Sequence, residues 1–238
     1  MTTLTPDTTL AEVISAHPSL ARELERRGLD YCCGGSRTIQ QACASNGLDA
    51  GRVVTELTSA AIDEPEAPWS SMDLVQLIDH IETTHHRFLW EELPRLSALA
   101  DKIVTVHGGR HPELAEIRSC YEAIRADLEP HLIKEERVLF PMLRELATAD
   151  AAPSFHCGTV LNPISVMLRE HESVGELLRR LRTLTDDFTP PADGCGSYVA
   201  LFRGFDELET DTHLHIHKEN FLLFPEAERV EGRLAARR

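Results

Sequence analysis

The sequence predicts an all-α protein, an antiparallel four-helix bundle preceded by a small helical domain. Apolar residues recur at steps of three and four through the long segments that follow residue 70. Residues 1–61 break instead into short helical pieces punctuated by Pro18, Gly28 and Gly47. No segment alternates in the way a half-buried strand does.

Within residues 1–61, Thr8 or Thr9 caps a first short helix. Pro18 suits the first turn of a second, which carries Leu20 and Leu24 and stops at Gly28. A third starts near Thr38 and ends at Asn46-Gly47, and a fourth covers about 49–61. Residues 62–70, with the acidic run Asp63-Glu64-Pro65-Glu66-Ala67-Pro68, read as a linker. The bundle takes residues 71–238. Its first helix covers about 71–107, capped by Ser70 or Ser71 and stopped by Gly108-Gly109. The second runs from near Pro112 to about Leu146. The third opens on Asn162-Pro163 and ends near Asp187, and the fourth covers about 197–228. Long helices joined by modest loops pack as an antiparallel bundle. Pro94, Pro130 and Pro141 each lack an amide hydrogen and are expected to kink or interrupt their helices.

Composition narrows the function classes. A chain of 238 residues buries a substantial core. Its net charge of −15 argues against general nucleic-acid binding and against anionic membranes, both of which need basic patches. No apolar run approaches the ~20 residues of a membrane span. The opening residues Met1-Thr2-Thr3-Leu4-Thr5-Pro6-Asp7 lack the basic and apolar regions of a signal peptide, so the cytoplasm is the expected location. Six cysteines in a chain this long do not make a disulfide scaffold. Cys43, Cys120, Cys157 and Cys195 are scattered and read as reduced small residues.

One motif is written twice. His131-Leu132-Ile133-Lys134-Glu135 leads to Leu139-Phe140-Pro141, and His215-Ile216-His217-Lys218-Glu219 leads to Leu223-Phe224-Pro225, with six of eleven positions identical. Residues four apart share a helix face, so each copy aims an imidazole and a carboxylate at one point. Both copies lie on apolar stripes. The first stripe is Leu114, Ile117, Tyr121, Ile124, Leu128, His131, Glu135, Val138 and Met142; the second is Leu201, Phe205, Leu208, Thr212, His215, Glu219 and Leu222. A glutamate at the centre of such a stripe is costly unless it is paired or metal-bound. One copy alone reads equally as a buried His–Glu hydrogen bond; two copies in matching contexts favour a metal site.

The third helix adds His171, at the middle of the face Ile164, Met167, Leu168, His171, Val174, Leu178 and Leu181. In the first helix the period of Leu74, Leu77, Ile78 and Ile81 selects His85, with His86 toward the flank shared by Leu89 and Leu93. His80 points away and is expected to be solvated. His107, His111, His156, His213 and His217 read as loop, helix-end or off-stripe residues. Four imidazoles and two carboxylates exceed what a zinc site uses, and calcium and magnesium prefer oxygen alone. Mixed nitrogen and oxygen donors around two ions suit iron, with manganese as the rival. The glutamates would bridge two non-haem ions, the histidines would terminate them, and an oxo or hydroxo bridge would balance the remaining charge.

At this point the chain resembles a known family, the di-iron proteins for repair of iron centres. They join a short cysteine-bearing domain to a hemerythrin-like four-helix bundle. The resemblance spans nearly the whole chain. It rests on Asp30-Tyr31-Cys32-Cys33-Gly34-Gly35, on His131-x-x-x-Glu135-Glu136, on Asn162-Pro163-Ile164-Ser165-Val166-Met167 with Glu170-His171-Glu172, and on His215-x-x-x-Glu219-Asn220. It implies His86, His131, His171 and His215 as terminal ligands, with Glu135 and Glu219 bridging. His86 follows because the family's first-helix ligand lies six residues after an Asp-His pair, here Asp79-His80, and eight before a proline, here Pro94. This displaces the periodicity choice of His85, and a kink at Pro94 would give a physical reason. The segment 147–161 is longer than the family's usual loop.

The resemblance also implies repair of iron–sulfur clusters damaged by oxidants or nitric oxide. The bundle would donate iron to a damaged or apo-cluster protein, or a diferrous site would reduce nitric oxide to nitrous oxide. Cys32 and Cys33 are the chemically active pair in either account, through thiol exchange, iron hand-off or cluster contact. The alternatives are a carrier or sensor of oxygen or nitric oxide, which would want five histidines and have no use for Cys32-Cys33, and a peroxidase-type enzyme. The chain would act as a monomer or homodimer.

Overall fold

A computed structural model describes residues 4–61 and 68–236. Residues 62–67, most of the expected linker, lie outside the described residues, and Pro68–Ser71 form one 3-10 turn. The N-terminal unit is built from local caps. Thr9 and Thr38 each close a reciprocal capping box, with Glu12 and Gln41, at the starts of α1 (Leu10–Ala16) and α3 (Ile39–Ser45). Pro18 opens a 3-10 turn leading into α2 (Ala21–Glu25), and Asp49 caps α4 (Ala50–Ala60). Gly28 and Gly47 take φ of +65° and +67°, the left-handed geometry that ends a helix without a Cβ penalty. Leu10, Ile14, Leu20, Leu24, Tyr31, Ile39 and Leu57 form the core of this unit, together with Ile216 from the bundle.

The bundle has four long helices. The first, α5, runs from Leu74–Ile81 through a π-helical turn, Glu82–His86, into Arg87–His107. The second, α6, joins Leu114–Lys134, a π turn Glu135–Leu139, and Phe140–Thr148. The third, α7, is Leu161–Leu184. The fourth, α8, joins Gly196–Lys218, a π turn Glu219–Leu223, and Phe224–Ala235. Two expected caps move. Asp73, rather than Ser70 or Ser71, closes the box at the head of α5, because its carboxylate reaches the Gln76 amide at 2.9 Å. Asn162 lies inside α7 and donates to the Cys157 carbonyl at 2.7 Å. The segment before α7 packs Phe155 and Cys157 on the bundle, and Glu231 of α8 accepts from the Val160 amide at 3.0 Å. Among the described residues there is no strand, only the isolated bridges Thr9–Thr38 and Phe155–Gly158. No helix there is long and apolar enough to cross a membrane.

The prolines act differently from expectation. Pro94 and Pro130 sit inside uninterrupted α-helical segments. The departure from α geometry comes at the three π turns. In α6 the Phe140 amide donates to Glu135 O, five residues back and directly ahead of Pro141; in α8 the Phe224 amide donates to Glu219 O, directly ahead of Pro225. Each π turn inserts one residue and rotates everything beyond it. Val138 is therefore 41% exposed while Leu139 and Phe140 are buried, and the buried residues of α8 become Leu223 and Phe224 instead of Leu222. Leu168, expected inside, lies 39% exposed on the flank of α7.

Two apolar layers result. One holds Leu89, Leu93, Tyr121, Leu128, Leu178 and Phe205; the other holds Leu77, Ile81, Leu139, Leu143, Met167 and Leu223. In every bundle helix the break between the layers falls at the predicted polar residues. The N-terminal unit seats on α8 through a close approach at Gly35, where a Cβ would lie against Tyr31 O and 2.6 Å from the Phe221 ring. Gly35→Ala should cost about 1–3 kcal/mol of stability in urea unfolding, the usual penalty for overpacking. Gly204→Ala should cost less, since its Cβ would meet mainly the flexible end of Leu96; equal losses would show that Gly35 is not a tight contact.

Candidate metal centre

Between the two apolar layers lie His86 of α5, His131 and Glu135 of α6, His171 of α7, and His215 and Glu219 of α8, all buried. They form two sets of four donors, His86/Glu135/His215/Glu219 and His131/Glu135/His171/Glu219, and both glutamates belong to both sets. His86 and His215 bring their Nε2 atoms within 3.3 Å, and His131 and His171 within 3.2 Å. Glu135 Oε2 stands 3.4 Å from His86 Nε2 and 3.3 Å from His131 Nε2. Glu219 reaches His215 Nε2 at 3.2 Å and His171 Nε2 at 3.1 Å, one through each oxygen.

Hydrogen bonds outside this ring fix how three of the four imidazoles face, while His215 Nδ1 is buried without a hydrogen-bond partner. His86 Nδ1 donates to Glu136 at 3.0 Å, and the Trp90 indole donates to the same oxygen at 2.8 Å. His131 Nδ1 donates to Glu170 at 3.0 Å, and Lys134 pairs with that carboxylate. His171 Nδ1 donates to Asn220 Oδ1 at 2.8 Å. With Nδ1 carrying the proton, Nε2 turns its lone pair toward the centre, the arrangement a metal-ligating histidine adopts.

The donors fit a pair of cations. Glu135 and Glu219 are fully buried, and none of their four carboxylate oxygens makes a hydrogen bond, although imidazole nitrogens lie near. Buried unpaired carboxylates are strongly disfavoured, so this ring demands positive charge. The electrostatics agree. Burial pushes Glu219 up, but His215 and His171 outweigh it and hold the carboxyl well below its ordinary value. Burial pushes His131 down, and Glu135 outweighs that, raising it to about 10.

His85, the residue chosen by periodicity, is buried but directed elsewhere. Lys218 Nζ donates to its Nε2 at 2.6 Å, and its Nδ1 donates to Asp211 at 2.8 Å, so both ring nitrogens are engaged. The π turn Glu82–His86 explains the exchange: the buried stripe steps five residues from Ile81 to His86, then resumes at Leu89 and Leu93. Stepping back from Leu89 would have selected His86. His80 is half-buried, 3.1 Å from Lys218 Nζ, rather than solvated. His217 is fully buried beneath the N-terminal unit, with Ser15 Oγ at 3.3 Å, and His213 faces Glu25 at 3.2 Å. His156 is exposed. Glu136, Glu170 and Asn220 carry roles that spacing did not reveal, though each adjoins a ligand-type residue in the motifs.

The cysteine pair is linked to this ring through Asn220. Asn220, whose Oδ1 holds His171, donates from Nδ2 to the Cys32 carbonyl at 3.0 Å. Cys33 Sγ faces Gly175 of α7, 3.7 Å from where a Cβ would stand, one turn beyond His171. Cys32 and Cys33 hold their sulfurs 3.7 Å apart, and Asp30 Oδ1 accepts from both their amides, at 3.1 and 2.9 Å. Asp30, Cys32 and Cys33 thus make a separate small donor set. A cavity of ≈ 70 Å³ between the units is lined by Asp30, Tyr31, Cys32, Gly175 and Arg179, among others.

Comparison with known proteins identifies the family. The Hemerythrin HHE cation binding domain model matches residues 77–227, and the ScdA_N model, a domain of unknown function, matches residues 6–61. The chain is 37% identical over 224 residues to the iron-sulfur cluster repair protein YtfE of Musicola paradisiaca, covering 94% of this chain and 97% of that one. It is 34% identical over 221 residues to YtfE of Enterobacter sp. (strain 638), covering 93% and 96%. It is 35% identical over 219 residues to a probable iron-sulfur cluster repair protein of Haemophilus influenzae, covering 91% and 94%. The chain therefore belongs to the hemerythrin HHE cation-binding family, in the form that carries an ScdA_N domain ahead of the bundle, alongside these iron-sulfur cluster repair proteins.

Proposed function

We propose that this chain repairs damaged iron–sulfur clusters in the cytoplasm, holding two iron ions between its apolar layers and giving iron up on the face that carries Cys32 and Cys33. The observation that carries the reading is the pair of four-donor sets sharing Glu135 and Glu219. His86 and His215 would hold one ion, His131 and His171 the other, with both carboxylates common to the two. The relatives' names support cluster repair as the task. Six free thiols support a reducing compartment.

Ferrous ions bound there supply exchangeable iron and two electrons. The chain's own residues do the rest. Glu136, Glu170 and Asn220 hold three imidazoles in the ligating tautomer, and the apolar layers keep water from competing. Cys32 is held well above the ordinary thiol value, first by its hydrogen bond to Cys33 and then by burial. It therefore keeps its proton until a soft cation displaces it, which suits a receiving donor rather than a resident one. Asn220 joins the two donor sets mechanically, from His171 to the Cys32 carbonyl.

The deciding experiment loads the full-length protein with iron anaerobically, counts metal, offers an apo-cluster acceptor, and separately adds nitric oxide with nitrous oxide quantified. Two irons per chain with transfer to the acceptor is the expected result. Multiple turnovers of nitrous oxide without transfer would assign the site to nitric oxide reduction instead. Fewer than two metals, or zinc alone, in protein made with ample iron would sink the reading.

Two substitution sets sharpen it. Glu135→Ala, Glu219→Ala and His86→Ala should each lower iron well below two per chain, while His85→Ala should retain it. Equal loss from His85→Ala would reverse the assignment on α5. Cys32→Ser/Cys33→Ser should leave bound iron unchanged and slow transfer; loss of iron from that variant would place the thiols inside the resting metal site.

A further inference from the structure

The far end of the bundle carries a second group of nucleophilic and titratable side chains. Cys195 is the N-cap residue of α8, in extended backbone with φ −76° and ψ 170°, and it is the exposed member of the six free cysteines. His107, the last residue of α5, is 5% exposed and sets its Nε2 3.2 Å from Cys195 Sγ. Its other ring nitrogen, Nδ1, is buried without a hydrogen-bond partner. A buried N–H without an acceptor is costlier and rarer than an unused lone pair. Nδ1 is therefore the bare nitrogen, and Nε2 carries the proton and donates to the sulfur. A donor aimed at sulfur favours thiolate over thiol.

The surroundings act in the same direction. No amide closes a full capping bond on the sulfur. The Tyr198 amide nonetheless draws the thiol below its ordinary value; burial opposes this, and the Ser197 and Cys195 amides and the Lys102 charge add to the lowering. Lys102 is positioned by donating to Ser197 Oγ at 3.0 Å. The nearby carboxylates are engaged: His111 binds Asp193 at 3.0 Å and Glu113 at 2.8 Å. The Tyr198 ring meets both imidazoles edge-on, at 5.7 and 5.8 Å. By contrast, burial pushes Cys43 and Cys120 up, and Cys157 is half-buried beside the Met142 sulfur. The 21 residues of Arg87–His107 separate this cluster from the metal layer, roughly 30 Å of helix.

We propose that Cys195 and His107 form a reactive thiol site, separate from the metal layer, that undergoes exchange with low-molecular-weight disulfides. The Cys195 thiolate attacks one sulfur of the disulfide. The new sulfur–sulfur bond forms as the old one breaks, and the other half departs as a thiolate that takes a proton from solvent. Cys195 is oxidised to a mixed disulfide and half of the reagent is reduced, so no further oxidant enters. The His107 Nε2–H, 3.2 Å from the sulfur, stabilises its charge before attack. An excess of small thiol reverses the adduct by the same exchange.

The test treats reduced full-length protein with the uncharged probe 2-hydroxyethyl disulfide and follows each cysteine by peptide mass spectrometry across pH. Cys195 should be modified first, faster than Cys157, with a pH midpoint below the ordinary ~8.5 of a free cysteine. His107→Ala, with helicity checked by circular dichroism, should raise that midpoint and slow Cys195 at neutral pH. Each unit of midpoint is worth about threefold in rate once the greater nucleophilicity of a more basic thiolate is allowed for. His107→Gln, which keeps an N–H donor, should recover part of the rate. Cys195 reacting no faster than Cys157, or an ordinary midpoint in the unaltered protein, would overturn the proposal without recourse to any variant. An unchanged rate and midpoint in folded His107→Ala would overturn the role of the imidazole.

Discussion

Two carboxylates buried side by side set the terms for the rest of this molecule. Glu135 and Glu219 lie at 0% exposure with none of their oxygens hydrogen-bonded. Mutual repulsion and lost hydration would expel such a pair from any ordinary core. Four imidazoles from four helices converge on them, and the placement of those imidazoles dictates where each helix must break its apolar face. The core is consequently two apolar layers with a polar ring between them. That ring, rather than the summed hydrophobic area, fixes the relative register of the four helices, because a one-residue slip of any helix would remove a donor.

Much of this was legible. The repeated His-x-x-x-Glu placed two donors on α6 and two on α8, and His171 stood at the centre of an unbroken stripe on α7. Periodicity misleads where helix geometry departs from 3.6 residues per turn. Extending the stripe beyond Ile81, Glu135 and Glu219 gave His85, Val138 and Leu222: the first is buried but turned to Lys218 and Asp211, and the other two lie one residue short of the buried Leu139 and Leu223. A period measured from both ends of each helix would have disclosed the slip, since the stripe before His86 and the one after it are out of phase. The expectation that Pro94 explains His86 failed for the same reason: the extra residue lies upstream of it, in Glu82–His86.

Contacts between distant segments were not legible at all. Nothing in the spacing showed that Asn220 would bridge His171 to the Cys32 backbone, or that Glu170 of α7 would orient His131 of α6. These depend on how helices pack, and local periodicity carries no record of that. The same holds for His213 and His217. They read as loop, helix-end or off-stripe residues, but the N-terminal unit covers that side of α8 and turns it into a second buried face. A helix with two buried faces defeats any reading that assumes one.

The π turns have a consequence for anyone who would build such a centre anew. A regular α-helix that carries the upper apolar layer of α5, α6 or α8 in phase carries the lower one out of phase by one residue. An idealised bundle of uninterrupted α-helices given this six-donor ring would therefore present either the donors or half of its hydrophobic surface to solvent. The inserted residue in three helices of four is part of the blueprint, and a transplant that omits it transfers the six donors without the architecture that keeps them inside.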